Sequence, residues 1–300
     1  MMNTAELVQR ARQAKTMIPG FNIPYLPMMA PVVQALRDTN SMGLIMVARL
    51  EWVKFAAGSS RAIRDEFARE KDTRHTRLHL DHVPVIDEDG ATVEYLAIIR
   101  EALELGYESV MIDGSRLPFA ENVRCTREIV ALAQAHGVPV EAELGAVFGH
   151  EAGPLPSYEE LFASGQGFTD AEEARRFVVA TGVDWLSVAI GNVHGAISAA
   201  TRDQQKVAAR LSLPHLEAIH RAADLPLVLH GGTGIRSDDL RQAMRYGIAK
   251  INVATAIRQP YERALATSVD AARQAVYDAT RAVLEDELAI AGNAALLLPT

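Results

Sequence analysis

The chain has one cysteine, two tryptophans and only 6% aromatic residues in its 300 positions, and each shortage excludes something. A lone Cys125, set in the helix-like stretch E-N-V-R-C-T-R-E-I-V, excludes an intrachain disulfide and fits a reducing, cytoplasmic compartment. No run approaches the roughly 18 apolar residues of a membrane span. The N-terminal M-M-N-T-A-E-L-V-Q-R-A-R carries charges where a secretory signal would be apolar. The chain also lacks a positive excess: its formal charge is −8. Nucleic acid and membrane are therefore not expected as partners, because both call for a basic surface. Low-complexity tracts and Pro/Gly-rich linkers are missing too, so residues 1–300 are read as a single domain.

What is present is a composition for a large buried core, 49% apolar with 23% charged. Eight β-branched or apolar runs recur, at residues 20–23, 43–48, 77–81, 109–113, 139–143, 185–190, 225–230 and 250–254, most of them separated by amphipathic helical segments. This alternation predicts βαβ crossovers and an α/β fold, a (β/α)8 TIM barrel, with an open doubly wound sheet as the alternative. Residues 259–300 read as a helical C-terminal extension. Residues 145–167 are rich in Gly and Pro and too long for a plain connection, which predicts a mobile active-site loop.

Three histidines stand out by position. His82, His194 and His230 each lie at or just beyond the C-terminal end of a strand-like run, and each precedes a chain reversal. One such histidine is ordinarily a hydrogen-bonded structural residue. Three at equivalent points, gathered at one end of a parallel sheet, predict a divalent-metal site with an open coordination position, the layout of a Lewis-acid catalyst. Asp113 and Glu143 are expected beside it, as partners of the ligands or as ligands in an alternative metal position. His79 alternates with Asp81 and is expected to face a different side from His82 in a structural role. H-G-G-T-G at 230–234 follows the seventh run and N-V-A-T at 252–255 the eighth. Gly231, Gly232, Thr233, Asn252, Val253, Ala254 and Thr255 thus form the expected phosphate cradle of a barrel.

The motifs H-L-D-H, V-M-I-D-G-S-R-L-P-F-A-E-N-V, V-E-A-E-L-G, V-A-I-G-N-V-H-G, L-V-L-H-G-G-T-G and K-I-N-V-A-T, in this order, resemble the class II (metal-dependent) fructose- and tagatose-bisphosphate aldolases over about residues 18 to 285. The resemblance implies an enzyme of carbohydrate metabolism that uses Zn2+ or another divalent transition metal. Such an enzyme reversibly cleaves a ketose phosphate, a small-molecule sugar phosphate, to dihydroxyacetone phosphate and an aldehyde through a metal-stabilised enediolate, as a homodimer or homotetramer. It implies His82, His194 and His230 as metal ligands, Asp81 as the acid/base, and Asp113 and Glu143 at alternative metal positions. It further implies Gly195, Gly231, Thr233 and residues 252–255 as donor contacts, and Glu151 as a loop glutamate that moves the carbon-bound proton.

Departures from the family pattern cluster where the aldehyde half would sit. They are Pro24-Tyr25 after G-F-N-I, the run Ile45-Met46-Val47-Ala48-Arg49-Leu50-Glu51 at the second strand, Val83 after His82, Arg116 after Ser115, the loop Gly149-His150-Glu151-Ala152-Gly153 without the acidic pair that often follows the glutamate, and a longer, basic connection over residues 198–213 with Arg202, Lys206 and Arg210. They suggest an acceptor other than glyceraldehyde 3-phosphate. A metal-dependent barrel hydrolase is a rival, although the first run lacks the usual His-x-His. A non-catalytic sugar-phosphate-binding subunit is another. A Schiff-base aldolase needs a lysine inside the barrel, and Lys250 is read at the start of its strand, which counts against it.

Overall fold

Parallel strands cannot be joined by a tight turn, so each step around a parallel sheet needs a crossover. The computed structural model describes residues 2–147, 158–192, 209–232 and 234–299. Its strands are β1 (Ile18–Asn22), β2 (Gly43–Ala48), β3 (Thr76–Pro84), β4 (Ser109–Asp113), β5 (Val140–Leu144), β6 (Trp185–Val188), β7 (Leu227–Leu229) and β8 (Ile248–Val253). They follow one another around a closed barrel, all neighbours parallel, with β8 returning to β1 through Ile18↔Lys250 and Phe21↔Val253. That last pairing excludes the open sheet: the fold is a (β/α)8 barrel.

Apolar periodicity found most of the crossover helices, among them Met29–Asp38, Phe119–Gln134 and Ala171–Thr181. It missed two between β2 and β3, Arg49–Lys54 and Ser60–Glu70, whose charged residues dilute the apolar stripe. The helix after β8, Thr255–Leu265, runs across residue 259 and is followed by Val269–Ala282. Among the described residues no helix is long and apolar enough to cross a membrane.

The two ends of the barrel differ. At the N-terminal end, helix Thr4–Gln13 is a plug: Leu7, Val8 and Ala11 cluster with the strand residues Ile18, Leu44, Met46, Trp185 and Val228, all buried. Gly20 lets this interior close, because a Cβ there would lie 2.2 Å from the Met46 sulfur. Polar chemistry is thus left to the C-terminal rim.

One irregularity shapes that rim. Between β3 and β4 the register jumps, Leu80 pairing Val110 and Val83 pairing Ile112, so Asp81 and His82 together oppose the single residue Met111. His82 carries a φ of +25°, a conformation L residues rarely adopt. A β-bulge of this kind turns two consecutive side chains toward one side.

Candidate active site

Side chains alternate across a strand, so a buried strand of a barrel sends every second residue inward. On β5 this places Glu141 and Glu143 inside, on β8 Lys250 and Asn252, and on β3 His79 and Asp81. The bulge adds His82. The expectation that His79 and His82 face different sides is therefore corrected: His79 is buried beside Asp81 and Glu141, its Nδ1 2.8 Å from Ser109 Oγ, while His82 meets the same interior one level higher.

Two of the three expected ligands converge. His82 Nε2 and His230 Nδ1 stand 2.6 Å apart, and each ring turns its other nitrogen to a carboxylate. His82 Nδ1 lies 3.4 Å from Asp113 Oδ2, and His230 Nε2 2.7 Å from Glu141 Oε1. Asp113 is itself pinned by the Ser115 amide and hydroxyl at 2.9 and 2.6 Å. Glu143 Oε2 accepts from Ser187 Oγ and lies 3.2 Å from His230 Nδ1. Potential ligand atoms fall into overlapping groups, Asp81/His82/His230 and His82/Asp113/Glu143, with each group's atoms within 4.8 Å of one another. A carboxylate behind an imidazole fixes which nitrogen is bare, as in carboxylate–histidine–metal triads. His194, Gly195, Glu151 and Thr233 lie outside the described residues.

Asp81 sits beside this pair, clamped by two amides: Asn252 Nδ2 donates to Oδ1 at 2.8 Å and Asn22 Nδ2 to Oδ2 at 3.0 Å. Burial alone would favour its neutral form, but the nearby His82, Lys250 and His230 charges hold it far below the usual carboxylate range, so it stays ionised. Burial likewise works against a charged His82. The Asp113 hydrogen bond and the Asp81 and Glu143 charges override it and raise that imidazole to about 10, so a cation held at Nε2 has to displace a proton.

The expected phosphate residues divide. Gly231 has φ +64°. Gly232 spends its N–H on Asn252 O at 3.0 Å, and a Cβ there would strike Ile251, so its smallness serves close packing of β7 loop on β8. The Asn252 side chain is committed to Asp81 and Lys250. Val253, Ala254 and Thr255 lead into the start of helix Thr255–Leu265, where backbone N–H groups favour an anion.

Four interior residues escaped sequence reasoning: Asn22, Glu51, Glu141 and Lys250. Lys250 is the third residue of β8, fully buried, with Nζ 2.8 Å from Glu141 Oε2, which corrects its reading as a strand-start residue. The two-residue period in V-E-A-E-L and K-I-N-V was the available signal. Glu51 accepts the Ala48 N–H at 2.8 Å and lies 3.4 Å from Asn22 Nδ2. Burial raises its carboxyl from 4.5 to about 8. Between those values only the folded chain keeps this proton, so each step up in pH favours unfolding, and the loss is complete above about pH 8. Glu51→Gln keeps the acceptor without the charge. It is expected to melt above the parent at pH 8, by at most about 5 kcal/mol of stability, and with it at pH 4.5. An equal offset at both pH values would defeat this account.

The model of the class-II fructose-bisphosphate aldolase family matches residues 2–294. The chain is 27% identical to the YdjI aldolase from Escherichia coli K12, covering 97% of this chain and 100% of that one, with a TM-score of 0.74. It is 26% identical to a candidate fructose-1,6-biphosphate aldolase from Coccidioides immitis, covering 98% of each chain, with a TM-score of 0.76. The fructose-bisphosphate aldolase of Campylobacter jejuni, 17% identical over 97% of each chain with a TM-score of 0.73, shares the fold.

Proposed function

The chain belongs to the class II fructose-bisphosphate aldolase family, and from that premise we propose that it is a zinc-dependent enzyme cleaving a ketose phosphate reversibly to dihydroxyacetone phosphate and an aldehyde. The observation that carries this reading is the convergence of His82 Nε2 and His230 Nδ1 at 2.6 Å, each ring backed by a carboxylate, next to a doubly clamped Asp81. That donor set fits a divalent cation, and imidazoles suit zinc. His82 and His230 would hold it, with His194 as third ligand on the sequence argument. When bound, the ion supplies Lewis acidity against the negative charge that develops on the donor fragment.

The protein's own groups handle the protons. Asp81, kept ionised, accepts the proton of the hydroxyl on the carbon beyond the breaking bond. That oxygen becomes the aldehyde carbonyl, and the bonding pair stays on the donor fragment until its carbon is protonated, the role assigned to Glu151 from sequence. The Gly231 turn and the start of helix Thr255–Leu265 receive the donor phosphate.

On the acceptor side, Arg49 is paired with Asp87 at 3.3 Å, and Tyr25 stacks on Tyr261 at 5.1 Å while donating to Glu262. These features support an acceptor that lacks a terminal phosphate. Dialysis against EDTA is expected to abolish cleavage and added Zn2+ to restore it, with no borohydride-trapped adduct; chelator-resistant cleavage would exclude the reading. In condensation with dihydroxyacetone phosphate, a neutral hydroxyaldehyde is expected to exceed glyceraldehyde 3-phosphate in kcat/KM, and the reverse order refutes the acceptor assignment.

A further inference from the structure

We propose that Lys250 is a positioning residue that sets the orientation of both the His230 imidazole and the Asp81 carboxylate from beneath. The roles of those two groups rest on the aldolase reading; their shared tie to one ammonium is geometric. Lys250 is fully buried inside the barrel, with Nζ 2.8 Å from Glu141 Oε2 and donating to Asn252 Oδ1 at 2.7 Å. Two chains leave from it. Through Glu141, whose Oε1 is 2.7 Å from His230 Nε2, it reaches the imidazole. Through Asn252, whose Nδ2 donates to Asp81 Oδ1 at 2.8 Å, it reaches the carboxylate.

Each link has a single permitted polarity. An ammonium only donates, so Asn252 must turn its oxygen down and its NH2 up to Asp81. An ionised carboxylate only accepts, so His230 must carry a proton on Nε2 toward Glu141, while its Nδ1 faces His82 Nε2 at 2.6 Å and Glu143 Oε2 at 3.2 Å. One buried cation thereby fixes an amide flip on β8 and, through Glu141, the protonated Nε2 and the ring orientation of the histidine at the end of β7. Without it, Asn252 can present oxygen to Asp81, which repels it, and Glu141 is left as a buried charge with His230 as its main neighbour. A buried ion pair is by itself weak evidence for stability, because desolvation offsets much of the attraction. Orientation gives this pair a purpose that stability does not.

The test uses the full-length protein loaded with Co2+, comparing the parent with Lys250→Met and with Lys250→Met/Glu141→Gln, which removes both buried charges. The readouts are the cobalt d–d absorption without substrate, equilibrium metal affinity, melting temperature, and kcat and KM for cleavage. Lys250→Met is expected to alter the cobalt spectrum, weaken metal binding about 10–100-fold, as loss of an outer partner does, and lower kcat more than KM rises. The double variant is expected to regain most of the parental melting temperature and to keep the altered spectrum and low kcat. It decides the matter if the single variant does not fold. A folded variant with the parental cobalt spectrum and affinity overturns the proposal and leaves Lys250 a stability residue. If the parent cleaves no ketose phosphate, the aldolase reading fails, and the substrate-free spectra still judge Lys250.

Discussion

Asp81→Asn is expected to bind divalent metal as the parent does and to cleave a ketose phosphate about 10³-fold more slowly, within the usual range for a lost general acid/base. The isosteric amide keeps the shape of a buried group. Its oxygen can still accept from Asn252, which Lys250 holds in one orientation. Its new NH2 faces Asn22, whose own amide can turn to offer oxygen, so the fold is retained. What is lost is the ionised oxygen on which the hydroxyl proton must land. Metal content after equilibrium dialysis, with turnover measured on the same sample, separates the two effects. Turnover within tenfold of the parent would remove Asp81 from the mechanism.

His82→Ala is expected to do more. It removes one of two converging nitrogens and leaves the Asp113 carboxylate facing a void, although Ser115 still binds it. Metal affinity should fall by more than the 10–100-fold typical of losing an outer partner, and cleavage should fall to background at any practical metal concentration. Competition with a chromophoric chelator measures the first quantity. A variant that still binds zinc as tightly as the parent would mean that the metal, if bound, sits elsewhere in the acidic cluster around Glu143.

The barrel was legible because two periods, near 2 and near 3.6, alternate along the chain with glycine stops at Gly106, Gly137 and Gly182, all of which have φ above +60°. The place of the site was legible for a related reason: polar residues that end apolar runs must lie at one rim. Partnerships across the barrel were not. Period 2 held the inward facing of Glu141 and Lys250, a signal passed over when Lys250 is read at a strand start, and only closure of the sheet brings β5 and β8 side chains within 2.8 Å. Helices Arg49–Lys54 and Ser60–Glu70 hid behind their charges. The bulge in β3 was invisible for a third reason. Positive φ is usually signalled by Gly or Asn, and here a histidine adopts it.

That kink also decides how the Asp81–His82 dipeptide can be inherited or transplanted. Grafted onto a regular strand of another barrel, the same two letters would present one head group to the lumen and bury the other against a helix. The heritable unit is the dipeptide with its extra residue and the β4 edge that accommodates it. A single-codon deletion there is therefore expected to disable proton transfer and metal capture in one event, and no substitution elsewhere in the strand would reinstate both.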